Sequence, residues 1–181
     1  MLSQRLWVRV PPPEHLLRVK GSRRVVSDFS ARLIELAWEL PGPFPPHDPL
    51  DAVVVHRGVA RTSGCLPRTP AGVLAFTGRV GDEVSLADAI TCARLCALNA
   101  VSLLQDSLGS LNRIERVLSV IGFVACTPDF NQQPAVIDGA SHALVELFGE
   151  AGRHSRSALG VTALPRGGPV EIEVAVAISD A

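Results

Sequence analysis

Apolar residues recur along this chain at two different periods, and each change of period marks an element. Phe29, Leu33, Ile34, Ala37 and Leu40 repeat every three or four residues, which predicts a short amphipathic helix ending at Pro41-Gly42-Pro43. The run AVVVHRGVARTSG from Ala52 to Gly64 predicts two strands around His56-Arg57-Gly58, and Gly72 to Val80 is expected to add a third. Ser85 stands where its hydroxyl can cap a long helix, with Asp88 in the first turn. Leu86, Ala89, Ala93, Ala97, Ala100, Leu104 and Leu108 then form one wide apolar stripe up to Gly109. Ile114 to Ala125 predicts a strand, and Pro134 to Phe148 a second helix ending near Gly149.

The last third carries two more strand patterns, Arg156 to Leu164 and Val170 to Ile178, broken by Pro165, Gly167, Gly168 and Pro169. They are expected to pair as a hairpin. By period two, Val170, Ile172, Val174, Val176 and Ile178 share one face, which places Glu171 and Glu173 on the other. Arg156 shares its face with the small residues Ala158, Gly160 and Thr162, leaving room for a ligand beside the guanidinium. In such a hairpin Arg156 and Glu171 would lie roughly 20 Å apart, so a pocket using both is expected to draw them from neighbouring subunits. The plainer alternative makes all three charges edge residues that discourage strand-to-strand aggregation. The element order β-β-β-α-β-α-β-β predicts an α+β fold: a mixed sheet with two helices packed on one face.

Composition narrows the function. At 181 residues with 47% hydrophobic and 19% charged content, the chain suits one globular domain. It has no run of apolar residues long enough to be expected in a membrane, nor the apolar stretch of a secretory signal, so a cytoplasmic location is expected. The net charge of −1 hides an asymmetry, because residues 1–27 hold six of the 17 basic residues and one of the 18 acidic ones. Those residues, with the run Pro11 to Pro13, are expected to be a disordered basic tail outside the domain of residues 28–181, and translation is expected to start natively at Val25 or Val26. Intact mass of the natively expressed protein checks that start. The acidic remainder argues against nucleic acid as the main partner.

Cys65, Cys92, Cys96 and Cys126 lack a CxxC pair, and the five histidines are scattered, so neither a metal site nor another cofactor is expected.

Three strings carry a resemblance: TSGCLP at Thr62 to Pro67, RVLSVIGFVACTPDF at Arg116 to Phe130, and RSALGVTALPRGGPVEIE at Arg156 to Glu173. With the order of elements they resemble the Rid family, also called YjgF, over about Ser27 to Ile178. The chain is most similar to a less-studied branch having the segment FGEAGRHSRSALGV. The resemblance implies a chorismate-mutase-like fold and a homotrimer with ligand clefts between subunits. In the deaminase branch the arginine matching Arg156 pairs with a substrate carboxylate, and the glutamate matching Glu171 positions the water that attacks an imine carbon. Ser63, Gly64 and Cys65 are implied as cleft lining, with Ala158 beside the arginine and Phe130 as a cover. The chain departs from that branch at several places. It has no Tyr, Leu50 standing nearest the family position, and it has Cys65 for a Gln, Ala158 for a Cys and Pro128 for an Asn. A larger or more apolar substrate than aminoacrylate is therefore expected.

The implied activity is deamination of carboxylate-bearing enamines or imines to keto acids and ammonia, with no cofactor. The alternatives are a non-catalytic trimeric sensor of small acids, and a pathway-specific hydrolase or tautomerase using the same cleft. Endoribonuclease activity, a label often attached to this family, sits poorly with the acidic body.

Overall fold

The structure is a computed structural model that describes residues 28–44 and 49–179. The basic tail expected over residues 1–27 lies outside the described residues.

Asp28 caps helix α1 (Phe29–Glu35) by accepting from the Ala31 N–H at 3.0 Å. The helix is shorter than its apolar period, because Ala37 takes a left-handed φ of 51° and turns the chain after Leu36. Strands β1 (Val53–His56) and β2 (Val59–Thr62) form the predicted hairpin around Arg57 and Gly58, both at positive φ. Helix α2 (Leu86–Leu108) starts at Ser85, whose Oγ accepts from the Asp88 N–H at 3.1 Å, and stops at Gly109 in the left-handed region. It is long and apolar enough to cross a membrane by length and composition, yet its buried stripe packs on the sheet and on α3 (Gln133–Phe148). The two helices meet closely at Gly139, where a Cβ would lie 2.2 Å from the Ile90 carbonyl oxygen.

The five-stranded sheet runs β1-β2-β5-β3-β4, with β3 (Ile114–Ala125), β4 (Ser155–Val161) and β5 (Val170–Ile178). Its helix-facing side carries Val120, Val124, Ile172, Val174 and Val176, all fully buried. This is the expected mixed sheet with helices on one face.

Two expectations fail. Gly72 to Val80 is not a strand; Arg68 and Leu74 make one isolated bridge, and Val80 makes two more to Val84 and Cys126. Gly72, Gly78 and Gly81 all have positive φ, which bends the segment too often for a continuous ladder. The second failure is the C-terminal hairpin, because β3 lies between β4 and β5. β3 pairs with β4 in parallel and with β5 antiparallel. The cause is the α3 crossover: a strand, a helix and a strand joined in sequence place the two strands parallel. The segment around Pro165–Gly167, with Arg166 at φ 60°, then carries the chain past β3 to its far side.

Candidate active site

Strand β2 loses regular pairing with β5 just after Arg61. Val59, Ala60 and Arg61 face Ala177, Val176 and Ala175, but the next bridge joins Cys65 to Ile172, so one extra residue lies on the β2 side. The Val174 N–H donates to the Thr62 hydroxyl at 3.1 Å inside this bulge. The Ser63 N–H and hydroxyl donate to the carbonyls of Ala52 and Asp51, each at 2.8 Å, which ties the bulge to the chain entering β1.

Gly64 completes the bulge, and the absence of a side chain there leaves room for Glu171. A Cβ there would lie 1.7 Å from Glu171 Oε1, so the Glu171 carboxylate rests against the glycine backbone. Half-burial pushes the Glu171 carboxyl above its usual range, and the nearby charge of Glu173 pushes it the same way. Glu173 itself is paired with Arg61. Among the described residues no hydrogen-bond donor engages the Glu171 carboxylate. An unengaged carboxyl with a raised pKa is suited to accept and return a proton.

A pocket of about 180 Å³ adjoins the bulge, lined by Phe44, Leu50, Ser63, Gly64, Cys65 and Leu66, and by Leu103 of α2. That volume exceeds the roughly 10–15 Å³ that holds one water and falls short of the roughly 300–1,000 Å³ of drug-sized sites. Burial pushes the Cys65 thiol up to about 12, which makes it a wall group and not a nucleophile. Ala52 and two polar residues, Arg68 and Asn99, complete the lining. The Arg68 guanidinium stacks over Phe44, its carbon 5.0 Å from the ring centroid, and one nitrogen donates to Gly72 O at 2.9 Å. Asn99 Nδ2 donates to Arg68 O at 2.9 Å and to Leu95 O at 2.8 Å. Those bonds fix the amide and leave its enclosed Oδ1 with no partner among the described residues. Leaving such an acceptor unmatched costs about 1–3 kcal/mol.

Arg156 stands elsewhere. Its Nη1 donates to Asp138 Oδ1 at 2.7 Å and to Ser141 Oγ at 3.0 Å, both on α3. Ser141 Oγ is 3.0 Å from His154 Nε2, and His154 Nδ1 is 2.6 Å from Gly152 O. A carbonyl only accepts, so Nδ1 carries the proton and Nε2 accepts from the Ser141 hydroxyl. Burial lowers the His154 pKa, the bond to Gly152 opposes this, and the Arg156 charge adds to the lowering. Within this chain α3 takes part of the space that the small residues beside Arg156 leave, while Nε and Nη2 of Arg156 have no hydrogen bond among the described residues. Ala158 is packed against the core, and a Cβ on Gly160 would meet Gln133 Nε2 at 2.9 Å.

The structure brings Glu171 onto Gly64 and places Ser63, Gly64 and Cys65 in one pocket with Leu50. It does not bring Arg156 to them within one chain. Arg156 lies level with Val120 and Val174 on the helix side, whereas Glu171 lies level with Phe123 and Leu159 on the opposite face. Two strand spacings, roughly 10 Å, and three residues of rise, roughly 10 Å more, separate them. The separation thus rests on opposite faces and not on the long hairpin expected. Phe130 also stands apart, half-buried beside Gly81, with its carbonyl accepting from Gln133 Nε2 at 2.7 Å.

Asp138, Ser141, His154, Arg68 and Asn99 escape a reading of the sequence alone. A signal existed for the first three: Asp138 and Ser141 are three apart on one helix face, and His154 precedes Arg156 by two on an extended segment.

The model of the family described as "YjgF/chorismate mutase-like, putative endoribonuclease" matches residues 31–168. Protein TCP17 of Trypanosoma cruzi is 36% identical over 152 residues, spanning 83% of this chain and 94% of its own. Among solved structures, the protein Atu1372 of Agrobacterium tumefaciens, a protein of unknown function, superposes with a TM-score of 0.78 at 37% identity, covering 85% of this chain and 94% of its own. A protein of Shewanella oneidensis described as "a putative endoribonuclease" gives 0.79 at 27% identity, covering 83% and 99%. With 36–37% identity across most of its length and the family model spanning its core, this chain belongs to the YjgF/Rid family.

Proposed function

We propose that the chain is a Rid-like hydrolase that deaminates carboxylate-bearing imines and enamines, in clefts between the subunits of a homotrimer. The observation that carries this is the Glu171 carboxyl, seated on Gly64 beside a pocket, with a pKa raised by burial. Protonated Glu171 delivers a proton to the enamine carbon and so forms the iminium ion, leaving Glu171 as carboxylate. The carboxylate then takes a proton from the attacking water as its oxygen bonds to the imine carbon. The resulting carbinolamine collapses: Glu171 returns the proton to the amine, the C–N bond breaks as the carbinol O–H electrons form the C=O, the hydroxyl proton passes to Glu171, and keto acid and ammonia leave with Glu171 protonated again. Arg156 of a neighbouring subunit holds the substrate carboxylate as a planar fork.

The sheet face opposite the helices supports association. It carries Glu171, Glu173, Phe123 and Leu159 with no helix laid across it among the described residues, and Leu159 is 48% exposed in the single chain.

The test is ammonia and keto-acid release from freshly generated imino acids by wild type, Glu171→Gln and Arg156→Ala. Loss of a clear wild-type activity in both variants is expected. A second reading, a non-catalytic acid-binding protein, is favoured by Leu50, Cys65 and Ala158 at positions where deaminases carry polar groups. Arg156-dependent keto-acid binding without turnover of any imine decides for it.

A further inference from the structure

We infer that Arg68 gives the pocket an anion anchor of its own, so that the substrate is an imino or oxo acid with a second carboxylate at the far end of an apolar spacer. The inference rests on the proposed reading that Arg156 of a neighbour takes the first carboxylate.

Arg68 is the cation that lines the pocket beside Ser63, Gly64 and Cys65. A guanidinium carries five N–H donors in a rigid fork, and among the described residues only Nη1 of Arg68 has a hydrogen bond, to Gly72 O. Neither carboxylate of the bulge reaches it, since Glu171 lies against Gly64 and Glu173 is paired with Arg61. The residue is nevertheless held in place. The guanidinium carbon lies over the Phe44 ring, 5.0 Å from its centroid, and Asn99 of α2 donates to the Arg68 backbone carbonyl at 2.9 Å. A positioned, half-buried, unneutralised fork at a pocket wall suits a carboxylate.

The rest of the lining selects the body of the ligand. Leu50, Leu66 and Leu103 are apolar, so the atoms between the two acidic groups are expected to be methylenes. A substrate anchored at both ends would also need fewer polar contacts in between, which fits Leu50 and Cys65 in the lining.

The experiment compares 2-oxoadipate with 2-oxohexanoate, which share a chain length and differ in the terminal carboxylate. Calorimetric titration of each is carried out on the full chain as wild type, Arg68→Gln, Arg68→Lys and Arg156→Ala. Wild type is expected to bind the diacid more than about tenfold tighter, as a charge-assisted fork contact implies. Arg68→Gln is expected to bring the two acids within about twofold, with an unchanged melting temperature, and Arg68→Lys to fall between. Arg156→Ala weakens both acids alike. A wild type without diacid preference overturns the inference whether or not the Arg68 variants fold, and so does an Arg68→Gln that keeps the preference. Neither result touches the role of Arg156. Conversely, binding that ignores Arg156→Ala, or a wild type that binds the diacid and hydrolyses no imine, fells the parent reading while an Arg68-dependent preference stands.

Discussion

Glu171 and Arg156 stand in opposite physical conditions. Arg156 is held by partners: it is on the helix side of the sheet, with Asp138 and Ser141 taking Nη1 and His154 ordering Ser141 from behind, which leaves Nε and Nη2 without a hydrogen bond among the described residues. Glu171 is the reverse, half-buried on the open face against Gly64, without a hydrogen-bond donor among the described residues and with Glu173 nearby. A group that must keep one charge and one orientation is built like Arg156, since its neighbours remove every alternative. A group that must change charge is built like Glu171, since burial and a neighbouring like charge disfavour its ionised state. The difference teaches that the two are suited to separate tasks, binding and proton transfer, and that within one chain they face opposite sides of the sheet.

The largest effect on this contrast is expected from Glu171→Gln. An amide cannot cycle a proton, so imine hydrolysis should fall by roughly 10²–10⁴-fold, while keto-acid binding is retained. Equal loss of binding in a calorimetric titration would mean that Glu171 is a ligand contact and not a proton carrier. Gly64→Ala comes next. Its Cβ collides with the end of a flexible side chain and not with backbone, so the fold is expected to survive while the carboxylate is displaced by an ångström or more. Misplacement on that scale costs about 10²-fold in kcat. Circular dichroism and kcat read together check it, and an unchanged kcat would remove Glu171 from the chemistry.

On the Arg156 side the expected change is smaller and of the opposite sign. Asp138→Asn removes the carboxylate that competes with a ligand for Arg156, while Ser141 still orients it. Asp138 is half-exposed, and exposed pairs contribute about 0.2–1 kcal/mol, so keto-acid affinity should tighten by up to about fivefold. Weaker binding would show Asp138 to be a necessary orienter.

The smallest effect is on stability. The folded pKa of Glu171 is raised, so the folded state binds the extra proton, and stability falls as pH rises from the ordinary carboxylate range through the raised value. Removing the charge removes that loss. Thermal melts of Glu171→Gln and wild type should therefore coincide near the ordinary carboxylate pKa and separate at neutral pH, with the variant melting higher. A variant that melts lower at neutral pH would point to a favourable contact of the ionised carboxylate.

Much of this arrangement is legible in the sequence, and the failures have local causes. The faces of β5 follow from strict alternation between aliphatic residues and Glu171 or Glu173, and α2 from Ser85, its apolar stripe and Gly109. Partners across the sheet are another matter. Proline and glycine around residues 165–169 look like a hairpin turn, and only the crossover through α3 reveals that β3 separates the two strands. In the same way Ala158 and Gly160 resemble room for a ligand until α3 is laid against them. Side-chain periodicity gives the face of a residue but not what covers that face. Ser63, Gly64 and Cys65 were legible as pocket lining through their string TSGCLP, whereas Arg68 and Asn99 meet through a loop and a helix distant in sequence.

The central claim, that one cleft takes Arg156 from one subunit and Glu171 from its neighbour, is tested most directly by mixing. Arg156→Ala and Glu171→Gln chains are each expected to be inactive alone. Unfolded together in equal amounts and reassembled, they should regain activity in about a quarter of the clefts, where an intact Arg156 meets an intact Glu171 across an interface. Recovery near that fraction would support the shared cleft. Mixed oligomers that form, as native mass spectrometry would show, and stay as inactive as their parents would contradict it.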